Sequence, residues 1–256
     1  MKPPITKPPT LKSFLDLPVI SDWTHLTHQA VVFGAPFGKP YNPDQFPNNQ
    51  STAPGRLRDA SPRILVDPQA VDSDLSSGST LASISVADGG NIPLNDNDID
   101  QHYAEIENAV RYLVKKGIFP VSIGGDDGIT NPVLRGLDSL NDLTIIQIDA
   151  HMDWKNERFG ERDGYSSPMR RASEMAHVSA IHQVGIRSYG SATEKDICDA
   201  KNWGVQIYLA KDIHEKGIDW FLNSLPNSGK FFITLDVDGL DPSILPGTVA
   251  LSPGGL

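Results

Sequence analysis

Three short runs of this 256-residue chain concentrate side chains able to hold a cation: Gly124-Gly125-Asp126-Asp127-Gly128, Asp149-Ala150-His151-Met152-Asp153, and Asp236-Val237-Asp238-Gly239-Leu240-Asp241-Pro242. In an extended segment alternate side chains share a side. The spacing therefore predicts Asp149, His151 and Asp153 facing one point, with Ala150 and Met152 turned away. The third run repeats the device with Asp236 and Asp238 about an inward Val237. In the first run the glycines let the backbone turn closely against a ligand. Taken singly, each aspartate is also what a turn or a helix cap uses, and the third run alone could be a solvated loop. Taken together, Asp127, Asp149, Asp153, Asp236, Asp238 and His151 place carboxylates so densely that they repel unless cations sit among them. Oxygen-rich donors with a single imidazole and no thiolate suit Mn²⁺, Fe²⁺, Co²⁺ or Ni²⁺ better than a structural zinc. Two such ions sharing a water lower its pKa toward neutrality, which implies hydrolysis at an electrophilic carbon or phosphorus.

The elements that must carry these runs alternate along the chain. Short β-branched stretches predict buried strands at 30–36, 83–90, 118–125, 143–150, 178–186, 205–210 and 230–238. Amphipathic stretches at 98–117, around 129–138, and at 170–176, 192–204 and 212–225 predict helices. Asp98 or Asp100 caps the first of them and Gly117 ends it. Such alternation specifies a mostly parallel sheet covered by helices on both faces, a three-layer α/β domain. In that architecture ligands bind outside the carboxyl ends of the strands, where all three aspartate runs fall. Residues 1–28 and 36–62, rich in Pro, Asn and Ser, are expected to be a mobile N-terminal arm and a long loop. The remainder, 29–256, is expected to be one domain.

Composition narrows the partners. The net charge is −10, and Asp outnumbers Glu by 25 to 7, an excess suited to loops, caps and cation ligands. No basic stripe is present to displace counterions from a nucleic acid. No run of about 18 apolar residues marks a membrane span, and the proline-broken start lacks the apolar core of a secretory signal. The lone Cys198 excludes a disulfide framework, so a reducing, cytoplasmic setting is expected. A small cationic or neutral substrate fits best.

Across roughly residues 30–256 the chain resembles the ureohydrolases, the arginase and agmatinase family. The stretches that carry the resemblance are SIGGDDGIT (122–130), IDAHMDWKNE (148–157), QVGIRSYG (183–190) and TLDVDGLDPSILPGT (234–248), running into SPGGL (252–256). The run from Asp149 to Met175 looks closest to the agmatinase-like branch. The resemblance implies two manganese-type ions, with Ni²⁺ or Fe²⁺ as alternatives. Asp149 and Asp236 would bridge them, Asp127 and Asp153 would serve the first, and His151 and Asp238 the second. It further implies attack of a bridging hydroxide on a guanidinium carbon, with Asp153 in the catalytic set, a guanidino substrate released as urea and an amine, and a homo-oligomer, trimeric or hexameric.

Three departures from the family pattern bear on this. Asp127 stands where a histidine is usual, which adds a negative charge and should acidify the bridging water less. Ser166-Ser167-Pro168 stands where a histidine commonly shuttles protons or contacts substrate. Ser167 can hydrogen bond there, but it cannot replace imidazole as an acid near neutral pH. Family members also continue past the Gly254-Gly255 motif to a glutamate that pairs with the guanidinium, so the chain is expected to be a fragment truncated at its C-terminus. A catalytically silent metal-binding subunit of the same fold is the competing expectation. Trp154 and Tyr165 flank the second run and either wall the pocket or simply pack.

Overall fold

The computed structural model describes residues 2–4, 6–8, 12–39, 41, 49–64, 83–94, 98–187, 189 and 192–256. They divide into two compact units, each an α/β arrangement with its own parallel sheet.

The first unit spans residues 1–39 and 49–139. Its strands are β1 (Ala30–Ala35), β2 (Val86–Asn91) and β3 (Phe119–Gly124), in the order β2-β1-β3 with both pairings parallel. Every residue of β1 is buried, as a central strand covered on both faces requires. Helices α1 (Ala53–Ala60), α2 (Ile99–Lys115) and α3 (Thr130–Gly136) belong to this unit. Asp98 caps α2 by accepting from the amide of Gln101, and Gly117 follows the helix at a φ of 72°.

Where described, residues 1–28, expected to be an arm, make contacts with the first unit's β2. Lys7 forms a bridge with Asn91 and Val19 one with Asp88, while Trp23 is wholly buried, with its indole donating to the carbonyl of Gly89. Trp23 fits because residue 89 has no side chain: a Cβ there would lie 2.5 Å from the indole. Within the expected loop 36–62, the segment from Ala53 forms helix α1 instead, and positions 40 and 42–48 fall outside the described residues.

Helix α1 also supplies the unit's principal buried charge. Arg58 donates from Nε and Nη2 to the two carboxylate oxygens of Asp88, at 2.7 and 2.9 Å, and from Nη1 to Asn91 at 2.5 Å. Both charged side chains are essentially inaccessible. Removing one member strands the other in a medium that cannot solvate it. Arg58→Met is therefore expected to destabilise the protein by about 3–5 kcal/mol, read as a fall in the urea midpoint. A loss below about 1 kcal/mol, typical of an exposed pair, would contradict this account.

The second unit spans residues 40–48 and 140–256. Strands β4 (Leu143–Ile148), β5 (Val178–Ile186), β6 (Gln206–Leu209) and β7 (Lys230–Leu235) pair in the order β6-β5-β4-β7, all parallel. Helices α4 (Pro168–Ala172), α5 (Glu194–Trp203), α6 (Ala210–Lys216) and α7 (Ile218–Leu222) follow. A core of Ile146, Val184, Tyr208, Ile213 and Phe221 joins strands to helices. Thr193 and Asp196 form a reciprocal capping box at the start of α5, and Gly204 closes it in the left-handed conformation. The predicted helix 212–225 is two short helices, broken at Gly217, whose φ of 80° suits glycine alone.

Strands β3 and β7 differ from the buried strands expected from their composition. Phe119 is 65% exposed, and Ile233 and Leu235 are 63% and 54% exposed. Each strand borders its sheet and pairs on one side only among the described residues. No helix among the described residues is long and apolar enough to cross a membrane.

Candidate metal centre

Strands β4 and β7 are neighbours in register, Ile148 opposite Leu235, so the residues that follow them leave the sheet side by side. Asp149 leaves β4 with its amide bonded to the carbonyl of Val184 and its side chain 1% exposed. Asp236 leaves β7 with its amide on the carbonyl of Ile148, then caps a single 3-10 turn, Val237–Gly239, by accepting from the amide of Asp238. That turn presses against β4 so closely that a Cβ on Gly239 would lie 2.9 Å from the amide nitrogen of Asp149. The glycine of the third run is thus a packing requirement. The turn delivers Asp238, 4% exposed, to the start of the second run, where it accepts from the amide of Ala150 at 3.1 Å.

His151 completes the cluster. Its Nδ1 lies 3.0 Å from Asp238 Oδ2 and 3.5 Å from Asp149 Oδ1. One ligand atom from each of Asp149, His151 and Asp238 falls within 4.8 Å of the others, a spacing one cation can span. The donor chemistry, two carboxylates and an imidazole without sulfur, fits a divalent ion that accepts oxygen and nitrogen.

The electrostatics express the same crowding. Hydrogen bonds to Asp149 and Asp238, with their charges, push the His151 imidazole up to about 10 against the opposing effect of burial. Burial raises the Asp149 carboxyl above the ordinary carboxylate range; the neighbouring Asp238 charge adds to this, and the hydrogen bond with His151 opposes it. Burial acts the same way on Asp238, but the hydrogen bond and charge of His151 win, and that carboxyl lies below its usual value. The pair of carboxylates thus demands a positive partner between them.

The route to this cluster differs from the extended alternation expected. Residues 150 and 151 bend, Asp149 Oδ1 accepts from the amide of His151 at 2.5 Å, and Asp153 adopts a left-handed φ of 46°. Ala150 and Met152 are buried, as are Asp149 and Asp153. Val237 is not turned inward; it is 46% exposed, because a 3-10 turn and not an extended strand carries it. Asp236 lies outside the three-residue group. Asp153, 8% exposed, is tied to Asp149 through Gln147, whose Nε2 donates to Asp149 Oδ2 at 2.7 Å and to Asp153 Oδ2 at 2.8 Å.

Asp127 belongs to the first unit, in the turn after β3, where its Oδ1 accepts from the hydroxyl of Thr130. The close approach that its neighbouring glycine permits is to protein, not ligand: a Cβ on Gly125 would strike the carbonyl of Phe37. Asp126, almost inaccessible, holds this turn by accepting from the amides of Gly128 and Lys39.

Ser167 precedes α4 and is wholly buried, and its hydroxyl meets no hydrogen-bond partner among the described residues. Trp154 is 2% exposed and packs edge-on against Trp203, whereas Tyr165 lies 4.3 Å from the ring of Tyr41.

A residue with no assigned role on sequence grounds organises the loops. Arg187, in the QVGIR stretch, sends its guanidinium to the carbonyls of Gly185, Asp238, Gly239, Leu240 and Ser252. It fastens the turn bearing Asp238 to the end of β5 and to the 252–256 segment. Asp241 fixes the same segment by accepting from the amides of Gly254 and Gly255.

Residues 28–256 match the arginase family. An agmatinase from Bacillus subtilis is 30% identical over 206 residues, covering 79% of this chain and 66% of the relative. A guanidinobutyrase from Pseudomonas aeruginosa is 28% identical over 180 residues, covering 68% and 56% respectively. The chain thus spans between 56% and 66% of these curated relatives. Among solved structures, the agmatine ureohydrolase of Thermoplasma volcanium matches with a TM-score of 0.75 at 26% identity, over 90% of this chain and 73% of that one. The proclavaminate amidino hydrolase of Streptomyces clavuligerus matches in fold, with a TM-score of 0.78 at 23% identity, over 96% of this chain and 80% of that one.

Proposed function

Because the chain belongs to the arginase family, we propose that it hydrolyses a small guanidino compound, agmatine-like or a guanidino acid, to urea and an amine. The observation that carries this reading is the convergence of Asp149, His151 and Asp238 where β4 and β7 end. Asp149, His151, Asp153, Asp236 and Asp238 would hold two divalent ions, Mn²⁺ before Ni²⁺ or Fe²⁺; Asp127 joins them on the strength of its motif. Such ions, when bound, lower the pKa of water and polarise the reacting carbon's environment.

The chain's own groups do the rest. The carboxylates offset the charge of an incoming guanidinium, in keeping with a net charge of −10. Asp153 is buried and held by the amide of Gln147. It is the carboxylate assigned to the reaction, accepting a hydrogen bond from the attacking water. Water oxygen bonds to the guanidinium carbon, the bond from that carbon to the substituted nitrogen breaks, and both protons of the water end on that nitrogen, so a guanidinium cation and water become neutral urea and an ammonium. Ser167 would offer the substrate its hydroxyl, which has no partner among the described residues. A cytoplasmic setting and a homo-oligomer, trimeric or hexameric, complete the reading.

Urea release from a panel of guanidino compounds by the Mn²⁺-loaded full chain tests it; no urea from any member, with metal bound, contradicts it. That outcome would favour a catalytically silent metal-binding subunit, a reading supported by the serine at 167, which cannot act as an imidazole does. Loss of the Ser167 hydrogen bond, worth about 0.5–1.5 kcal/mol, predicts that Ser167→Ala raises KM about 2- to 13-fold with kcat little changed. An unaltered KM removes Ser167 from the substrate site.

A further inference from the structure

We infer that Gln147 and Gln183 are positioning residues that set the geometry of Asp149 and Asp153 through a chain of amides having only one workable polarity. This rests on the reading of those aspartates as metal ligands. Gln147 in β4 and Gln183 in β5 face each other across the parallel ladder, and both are buried to 1% exposure or less. The carbonyl of Met152 can only accept, and Gln183 Nε2 lies 2.7 Å from it. The same nitrogen lies 2.5 Å from Gln147 Oε1, which must therefore accept. Gln147 Nε2 is left facing away, toward one oxygen of Asp149 and one of Asp153, and has two hydrogens to give them. Each amide orientation follows from the one before it, starting at a backbone carbonyl.

A glutamine suits this place on chemical grounds. Alternation along β4 puts residue 147 on the same side as residue 149. A lysine there would also donate, but its charge would compete with a cation for the carboxylates. A glutamate would repel both. The neutral amide ties one oxygen of each carboxylate and so fixes the plane of each group without spending the negative charge. It also steadies Asp153, whose left-handed backbone is uncommon for a residue with a side chain. Because both glutamine side chains are almost inaccessible, bulk solvent is poorly placed to take over this donation if the amide is lost.

Titration calorimetry of the chelated full chain with Mn²⁺ at fixed pH tests this, with the melting temperature before metal addition as a separate readout of packing. Gln147→Met and Gln183→Met, similar in volume, are each expected to weaken Mn²⁺ binding about 10- to 100-fold, as loss of partners behind metal ligands does. Because Gln183 acts through Gln147, the double variant is expected to be no weaker than Gln147→Met alone. Should Gln147→Met fail to fold, Gln147→Asn keeps a polar amide but falls a methylene short of both carboxylates, and the same weakening is expected. Wild-type affinity in the variants, accompanied only by a lower melting temperature, overturns the inference while leaving the metal reading intact. Additive losses in the double variant overturn the relay from Gln183. A wild-type chain that takes up no Mn²⁺ overturns both readings.

Discussion

Asp149→Asn is expected to reduce urea formation by about three orders of magnitude, the scale lost when one electrostatic partner of a developing charge is removed. Asp149 is nearly inaccessible and both of its oxygens are engaged at the cluster: His151 reaches one with its amide and its ring, and Gln147 ties the other. Asparagine preserves shape and one acceptor but cancels the charge that a metal ion needs. Metal content per chain is expected to fall with activity. The fold should persist, because relieving a buried carboxyl already raised by its surroundings removes repulsion as well as attraction. Far-ultraviolet circular dichroism that remains native while metal and activity vanish is the predicted combination. Retention of both metal and activity would place the reaction elsewhere.

The second large effect concerns pH. In the presence of chelator, His151 is held protonated up to about 10 by Asp149 and Asp238. An imidazole raised above its unfolded value of about 6.5 contributes stability that is fully present below that value and is lost as pH rises through about 10. Asp149, also raised, acts in the same direction. Asp238, lowered, contributes stability above its unfolded value that is lost only in acid. Chelated protein is therefore expected to melt at progressively lower temperature between pH 7 and 10, about the window of the His151 shift. Metal restores the loss by mass action, since it binds the folded state. Binding near neutrality should also release a proton from His151, because only the neutral ring can be a ligand. Calorimetry in buffers of different ionisation enthalpy counts that proton. His151→Gln should abolish the proton release from the ring and flatten the slope, whereas an equal slope in the variant would assign it to other groups.

How much of this was legible from residue types alone depended on whether a periodic signal existed. The short apolar runs located the seven strands found among the described residues; burial on both faces writes such a stretch into β1, whose every residue is buried. Asp149, His151 and Asp238 were legible as a dense set of ligand-type residues, although the bend at 150–151 and the left-handed Asp153 were not, since an aspartate gives no advance notice of a positive φ. Gln147 and Gln183 leave no pattern: an amide inside an apolar strand looks like an isolated polar residue until its partner on the next strand is known. Arg187 was visible within a motif, but its role depends on carbonyls, which every residue possesses. The packing of the described residues before position 28 was hidden behind prolines, and Trp23, a large apolar residue seated over a glycine, marks the segment as attached. The exposed faces of β3 and β7 were hidden for the opposite reason: Phe119, Ile233 and Leu235 have the composition of a core, and sheet order, which composition does not encode, puts them at an edge.

The central claim is that the aspartates and His151 form a binuclear metal centre. Mn²⁺ bound per chain, measured by elemental analysis after chelation, reloading and gel filtration, tests it most directly. The account predicts two ions per chain, falling in Asp149→Asn; a wild-type chain that retains none, or an Asp149→Asn chain that retains as many, would contradict it.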